Sequence, residues 1–132
     1  MKYIIYCRKS TDTEDKQVLS LESQERELLD IGEKHNLNIV KVLKESVSAK
    51  SAGRPIFNEM IKMIALGKAD AILCWKLDRL ARNFIDGGLI IDSLQRSAIK
   101  EIRTYESIHL PSDNVLMLAV HFGMANQYIR DL

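Results

Sequence analysis

Residues 3–7 of the chain read Tyr-Ile-Ile-Tyr-Cys, and Arg8-Lys9-Ser10 follows them at once. A short apolar run bounded by polar residues is typical of a buried β-strand, which we place at Lys2–Arg8. Ser10 would then lie just past the carboxyl end of a central strand, two residues after an arginine. Proteins of the α/β class carry their chemistry at that edge of the sheet. The stretch by itself leaves open whether Ser10 is a nucleophile or only a turn residue.

Strands and helices alternate along the rest of the chain. Further strands are predicted at Asn38–Leu43, Ala71–Trp75 and Lys100–Thr104, and helices at 20–35, 55–67, 85–97 and from Asn114 to the end. The almost continuous apolar run of the third strand indicates burial on both faces, and hence a parallel sheet. We therefore expect an α/β fold, a parallel-sheet domain of three layers, flavodoxin- or Rossmann-like.

Composition limits the classes of function. The chain has 132 residues and a formal net charge of +1, so it predicts one domain and its bulk charge does not indicate nucleic acid. Cys7 and Cys74 lie in apolar runs, which favours a reducing cytoplasm without disulfides. No run is long enough to span a membrane. No Cys/His spacing suits zinc and no glycine-rich phosphate loop is present.

Polar residues follow three of the predicted strands. They form segments 8–10, 45–48 and 76–82. The carboxyl ends of parallel strands meet at one edge of a sheet, so we expect the three segments to converge there. Residues 45–53 are small and polar and are followed directly by a helix, which is typical of an active-site loop rather than a linker.

The converging segments would bring one serine and several arginines together. The arginines are Arg8, Arg54, Arg79 and Arg82. Guanidinium groups match phosphate oxygens and would stabilise the charge that grows on them during attack by Ser10, in place of a metal ion. Arg79 and Arg82 are spaced to share a helix face, and Asp78 would orient one of them. No histidine lies in these segments, which argues against an acyl-transfer hydrolase and leaves the proton acceptor open.

Each of these residues also has an ordinary structural interpretation. Residues 10–12 taken alone are typical of a turn or helix cap, and residues 78–82 of a solvated helix start with a local ion pair. Arg54 before Pro55 is typical of a helix N-terminus, and Gln24 of an exposed helix position. Their predicted convergence at one edge favours the functional interpretation of the set.

The same residues closely resemble the catalytic domain of the serine recombinases, the resolvase/invertase family that includes large serine integrases and transposases. The resemblance spans nearly the whole chain, and its motifs are more specific together than any one is alone. They are Tyr6-x-Arg8-x-Ser10, residues 20–24 (Ser-Leu-Glu-Ser-Gln), Ser48 with Arg54-Pro55, and residues 76–82 (Lys-Leu-Asp-Arg-Leu-Ala-Arg).

The resemblance implies site-specific DNA recombination in the integration, excision or transposition of a mobile element. Ser10 would attack double-stranded DNA and form a 5′-phosphoserine link, and four subunits would exchange and rejoin the strands without metal or ATP. Arg8, Arg79 and Arg82 would bind the phosphate with Arg54. The supporting residues implied are Tyr6, Gln24, Ser48, Lys76, Asp78 and Arg130. The enzyme would be bacterial or phage-encoded and act in the cytoplasm.

The last predicted helix, residues 114–132, is apolar nearly all round, with one stripe formed by Val115, Leu118, Ala119, Phe122 and Ile129. Such a helix buries more than one face, so we expect it to form a homodimer or homotetramer interface. An overpacked core helix is the alternative. Ile129 stands where the family commonly has an acid before an arginine, although Arg130 is retained. The chain ends inside this helix, so we expect residues 1–132 to be a catalytic domain without its DNA-binding domains.

Two other functions remain open on the sequence. One is a flavodoxin-like regulatory module that binds a phosphorylated ligand or protein partner through the same edge without catalysis, and that would not need Ser10. The other is a degenerate recombinase domain kept for oligomerisation. The presence of Ser10 together with all four arginines argues against the latter.

Overall fold

A five-stranded sheet forms the centre of the computed structural model, which describes residues 1–9, 19–48 and 52–123. The strands lie in the order β2-β1-β3-β4-β5. β1 to β4 are parallel, whereas β5 runs antiparallel to β4. The bounds are β1 Lys2–Arg8, β2 Asn38–Glu45, β3 Ala71–Cys74, β4 Glu101–Arg103 and β5 Ile108–His109.

Five helices are described, and local signals in the sequence explain where most of them begin. They are α1 Leu21–Lys34, α2 Pro55–Ala65, α3 Leu77–Leu80, α4 Phe84–Gln95 and α5 Val115–His121. The side chains of Ser20, Asn83 and Asn114 accept hydrogen bonds from backbone N–H groups in the first turns of α1, α4 and α5. Pro55 opens α2, where its missing N–H costs nothing. None of the described helices is long and apolar enough to cross a bilayer.

The helices cover both faces of the sheet. Ile4 and Tyr6 of β1 point to a large core shared with α2, α4 and α5, whereas Tyr3, Ile5 and Cys7 point to a smaller core that includes Leu28 of α1. This alternation is the two-residue period of a strand buried on both sides. The predicted three-layer α/β fold is confirmed, with the strand order 2-1-3-4-5 of flavodoxin-like sheets.

The predicted elements needed correction in three places. β2 continues to Glu45, two residues beyond its predicted end. The edge strand β5 lies between the predicted strand Lys100–Thr104 and the helix predicted from Asn114, where no strand was expected, because two residues are too few to show an apolar pattern. A separate short helix, α3, follows β3 directly.

The prediction of one long helix from residue 114 to the end was wrong in the described part of the chain. α5 ends at His121, and Gly123 adopts a φ of 74°. A left-handed glycine just past the last turn is a common helix terminator, because glycine has no Cβ to clash there. Leu118 and Phe122 are buried, whereas Leu116, Met117 and Val120 are exposed. Ile129 and Arg130 lie outside the described residues.

Candidate active site

The ends of three neighbouring strands form the edge at which the predicted site lies. β1 and β2 both extend beyond β3, since Arg8 pairs with Glu45 while Cys74 pairs with Tyr6. In this strand order the connections leave β1 and β3 in opposite directions, and ligands of such sheets bind in the crevice between those two ends. The segments after β1, β2 and β3 carry the predicted site residues.

Arg8 joins these three segments. Its side chain is completely buried, and Nη1 donates to the carbonyl of Val47 at 3.1 Å. Nη2 donates to the carbonyl of Asp78 at 2.9 Å, and Nε to that of Arg79 at 3.1 Å. Asp78 and Arg79 belong to the last turn of α3, where carbonyls have no partner within the helix, and Val47 lies past the end of β2. The guanidinium fork satisfies all three carbonyls at once. The structure therefore brings Arg8 together with the segments that carry Ser48 and Arg79.

Gln24 holds the backbone of Arg8 from the α1 side. Its Oε1 accepts from the Arg8 N–H at 3.3 Å, and its Nε2 donates to the carbonyls of Arg8 at 3.0 Å and Leu19 at 2.9 Å. β3 ends before it reaches Arg8, so the side-chain amide takes the place of a neighbouring strand. The interpretation of Gln24 as an exposed helix residue was wrong, because the residue is fully buried. Residues 10–18, which include Ser10, lie outside the described residues.

Arg79 and Arg82 occupy different environments. Arg79 is buried, and its Nε lies 3.1 Å from Oδ1 of Asp78, which is itself 43% exposed. Its Nη1 also lies 3.5 Å from the carbonyl of Arg8. The prediction that Arg79 and Arg82 share a helix face was wrong, because α3 ends at Leu80 and Arg82 falls in the bend before α4. Arg82 is half-buried there.

Arg54 lies beneath the site in a buried cluster. Nη1 donates to the Tyr6 hydroxyl at 3.1 Å, Nη2 donates to the Leu80 carbonyl, and the guanidinium forms an ion pair with Asp86 at 3.2 Å. The Phe57 ring lies 4.1 Å below the guanidinium carbon. The tyrosine hydroxyl in turn donates to Oε1 of Glu45 at 2.6 Å. Burial raises the pKa of Tyr6 far above its usual range, so the phenol remains a neutral donor.

No role was predicted from the sequence for three buried residues of this cluster, which are Glu45, Asn83 and Asp86, although Glu45 opens the predicted segment 45–48. Asn83-x-x-Asp86 is a helix N-terminal capping pattern, and it carried a usable signal. Glu45 carried only a weak signal, as an acidic residue just past the predicted strand Asn38–Leu43. That these three residues cluster around Arg54 could not be predicted from the sequence, because the cluster depends on how β2, α2 and α4 pack.

Lys76 lies apart from the arginines. It is exposed, and its Nζ lies 5.9 Å from the centre of the Tyr105 ring, which stacks on Trp75 at 4.3 Å. Lys76 and Asp78 line an open cavity of about 690 Å³ together with Thr104, His109 and other residues. The described residues contain no group of three His, Cys, Asp or Glu side chains suited to a metal ion.

Tyr6→Phe is expected to lower the free energy of unfolding by about 1–3 kcal/mol, because both Glu45 and Arg54 lose a buried partner without losing any packing volume. Chemical denaturation measures the change. Tyr105→Phe is the matched control, since Tyr105 is exposed, and it should leave the free energy of unfolding unchanged. A Tyr6→Phe variant as stable as the parent would contradict the role assigned to the hydroxyl.

Comparison with known proteins gives one family and a consistent set of folds. Residues 3–132 match the family model described as "Resolvase, N terminal domain". No curated protein matches the chain. The structure of the N-terminal catalytic domain of TP901-1 integrase is similar, with a TM-score of 0.73, 23% identity, and coverage of 99% of this chain and 98% of that one.

Two further structures are similar over much of their length. A resolvase family site-specific recombinase from Streptococcus pneumoniae has a TM-score of 0.64 and 25% identity, covering 99% of this chain and 89% of that one. The C-terminal catalytic domain of ISC1926 TnpA, an IS607-like serine recombinase, has the same TM-score and identity and covers 79% and 70%.

Proposed function

This chain belongs to the resolvase family, matching its N-terminal domain over residues 3–132, and we propose that Ser10 is its DNA nucleophile. The resemblance stated from the sequence motifs is thereby confirmed at the level of the family. The chain is a serine recombinase domain whose function is site-specific recombination or transposition. The regulatory alternative, a flavodoxin-like module without catalysis, is not favoured, because the match spans nearly the whole chain.

The chemistry is an exchange of one phosphodiester for another. Ser10 Oγ loses its proton and bonds to the scissile phosphorus, while the P–O3′ bond breaks and the departing 3′ oxygen takes up a proton. The DNA 5′ end is left as a phosphoserine. Rejoining reverses these changes when a 3′ hydroxyl attacks the phosphoserine, so no metal, nucleotide or other cofactor is needed to supply energy.

The arrangement of Arg8 is the observation that carries the proposal. Residue 10 follows Arg8 by two positions, and Arg8 donates to carbonyls of the segments that carry Ser48 and Arg79. A phosphate bound at this edge would lie close to fixed guanidinium charges, which would stabilise the negative charge that builds on its oxygens. We assign Arg8, Arg79 and Arg82 to that phosphate, with Gln24, Ser48, Lys76, Asp78, Arg54, Tyr6 and Arg130 as supporting residues.

The partners in this proposal are double-stranded DNA and further copies of the chain. Neighbouring helices α4 and α5 expose large apolar side chains, which a second subunit would cover. These residues are Phe84, Ile85, Leu89, Leu116, Met117 and Val120. We propose a homodimer or homotetramer built through residues 114–132 and acting on chromosomal or element DNA in the cytoplasm.

Ser10→Ala is expected to abolish the covalent protein–DNA adduct. The assay uses the full-length enzyme that contains this domain, on a duplex that the enzyme selects from a randomised library. The adduct is detected as a protein-linked strand on a denaturing gel. Ser112→Ala is the control, because Ser112 is exposed in the loop before α5. This variant should form the adduct at the parental rate. An adduct that persists in Ser10→Ala would refute the assignment of the nucleophile.

A further inference from the structure

Three charged side chains are buried directly beneath the proposed site. Glu45, Arg54 and Asp86 are exposed by only 3%, 2% and 1%, and none of the buried polar side-chain atoms in the described ranges lacks a hydrogen-bond partner. Burying charge is costly unless it is paired and hydrogen-bonded. Together with Tyr6 these residues form what we call the buried clamp.

Glu45 closes the loop that carries Ser48. Its Oε2 accepts from the backbone N–H of Ile56 at 2.8 Å, and its Oε1 accepts from that of Phe57 at 3.1 Å. Both N–H groups belong to the first turn of α2, where the helix has no internal partners for them and favours a negative charge. The carboxylate at the end of β2 therefore fixes both ends of residues 46–54 relative to each other.

Arg54 closes the segment that carries Arg82. Its Nη2 donates to the Leu80 carbonyl at the end of α3, and its Nε and Nη2 lie 3.3 and 3.2 Å from Oδ2 of Asp86 in α4. Asn83 adds a further bond from Nδ2 to the same oxygen of Asp86, at 3.0 Å. One guanidinium thus holds both ends of residues 81–85.

The Tyr6 hydroxyl connects the contacts that hold the Ser48 loop to those that hold the Arg82 segment. It donates to Oε1 of Glu45 at 2.6 Å and accepts from Nη1 of Arg54 at 3.1 Å. Tyr6 also precedes Arg8 by two residues on β1. A displacement of Glu45 or Arg54 would therefore be transmitted through the Tyr6 hydroxyl oxygen to the other loop and to β1, which carries Arg8.

We propose that Glu45 and Asp86 are positioning residues of the recombinase site. They act through Arg54 and Tyr6 to fix the loops of Ser48 and Arg82, and they do not touch DNA. The role of Arg54 follows from this: its guanidinium binds Tyr6, Leu80 and Asp86 and does not contact the DNA phosphate. The link of this inference to catalysis rests on the proposed function. The fixing of the two loops rests only on the hydrogen bonds and the ion pair of the buried clamp.

The test compares two identical substitutions on α4. Asp86→Asn removes the buried charge, whereas Asp92→Asn removes an exposed charge that pairs with Arg96 at 2.9 Å. We expect Asp86→Asn to slow single-turnover adduct formation about 100-fold, because small displacements of catalytic groups cost that much. DNA affinity should stay within about threefold, since the clamp makes no DNA contact. Asp92→Asn should match the parent in both.

A second pair of variants repeats the comparison at Glu45, which holds the loop that carries Ser48. Glu45→Gln should slow adduct formation without loss of DNA affinity, and Glu25→Gln, whose partner Lys44 is exposed, should not. Arg54→Lys should also be slow, because an ammonium group keeps the charge but cannot span Tyr6, Leu80 and Asp86. A fast Arg54→Lys enzyme would contradict the clamp.

The outcomes separate the positioning role from its alternatives. Asp86→Asn cleaving at the parental rate, or losing DNA affinity and rate by the same factor, would overturn the proposal. If Asp86→Asn does not fold, the double variant Arg54→Met/Asp86→Leu removes both charges, and apolar replacement of a buried pair is commonly tolerated. It should fold and cleave slowly, and a parental rate in it would equally overturn the proposal.

Failure of the proposed function would show differently, as no adduct from the parent protein. Hydrogen exchange then tests the clamp itself. Backbone amides of residues 54, 56, 57 and 80–87 should exchange faster in Asp86→Asn than in Asp92→Asn. Equal exchange in the two variants would refute the clamp, whatever the activity of the parent.

Discussion

Arg8→Ala is expected to abolish DNA cleavage and to lower the free energy of unfolding by about 3 kcal/mol, a combination that few other single substitutions in the site should produce. The catalytic loss follows from the proposed stabilisation of charge on the scissile phosphate by the Arg8 guanidinium. The stability loss follows from the burial of Arg8 and from its donors to Val47, Asp78 and Arg79. Hydrogen bonds from a charged donor are each stronger than neutral ones, and their removal leaves buried carbonyls without partners.

Two measurements check this expectation. Chemical denaturation gives the free energy of unfolding, and adduct formation on the selected duplex gives the cleavage rate. Arg26→Ala is the matched control, because Arg26 is exposed on α1 and makes a long contact of 3.4 Å with Ser23. An Arg8→Ala protein that keeps the parental stability would show that the three carbonyls find other partners. One that still forms adduct would remove Arg8 from the chemistry.

The sheet and the edge that carries the site were predictable for one shared reason. Parallel strands buried on both faces are apolar throughout, as in Ala71–Cys74, so the pattern identifies them without knowledge of their neighbours. Once four predicted strands alternate with helices, topology alone places the segments after Arg8, Glu45 and Cys74 at one edge. Short or terminated elements were missed, because two residues of β5 have no period and the end of α5 depends on one glycine.

The roles of individual polar residues were less predictable than their location. Arg54 and Asp86 are 32 positions apart, and nothing local in either neighbourhood indicates that each neutralises the other. Gln24 was misread for the same reason, since its burial depends on β3 ending before it reaches Arg8. Sequence patterns report which surface of an element is apolar, whereas the pairing of buried polar groups is settled only when the elements pack.

Arg79→Ala is expected to lower the rate of adduct formation about 1,000-fold, as for the loss of a guanidinium that stabilises a phosphoryl transition state. Its effect on stability should differ from that of Arg8→Ala. The carboxylate partner Asp78 is 43% exposed and can be solvated when the arginine is lost, so we expect a loss of only about 1 kcal/mol. These two variants would therefore separate the two buried arginines of the same edge: we expect Arg8 to join three segments and Arg79 to serve chiefly the phosphate.

The comparison that decides this is Arg79→Ala against Arg96→Ala, which breaks another contact between an arginine Nε and an aspartate, on the exposed side of α4. Both variants should unfold near the parental midpoint, and only Arg79→Ala should lose adduct formation. Global unfolding of Arg79→Ala would instead make Arg79 a structural residue. The phosphate would then be left to Arg8 and the half-buried Arg82, and the site would have to complete its charge from another source, such as a second subunit.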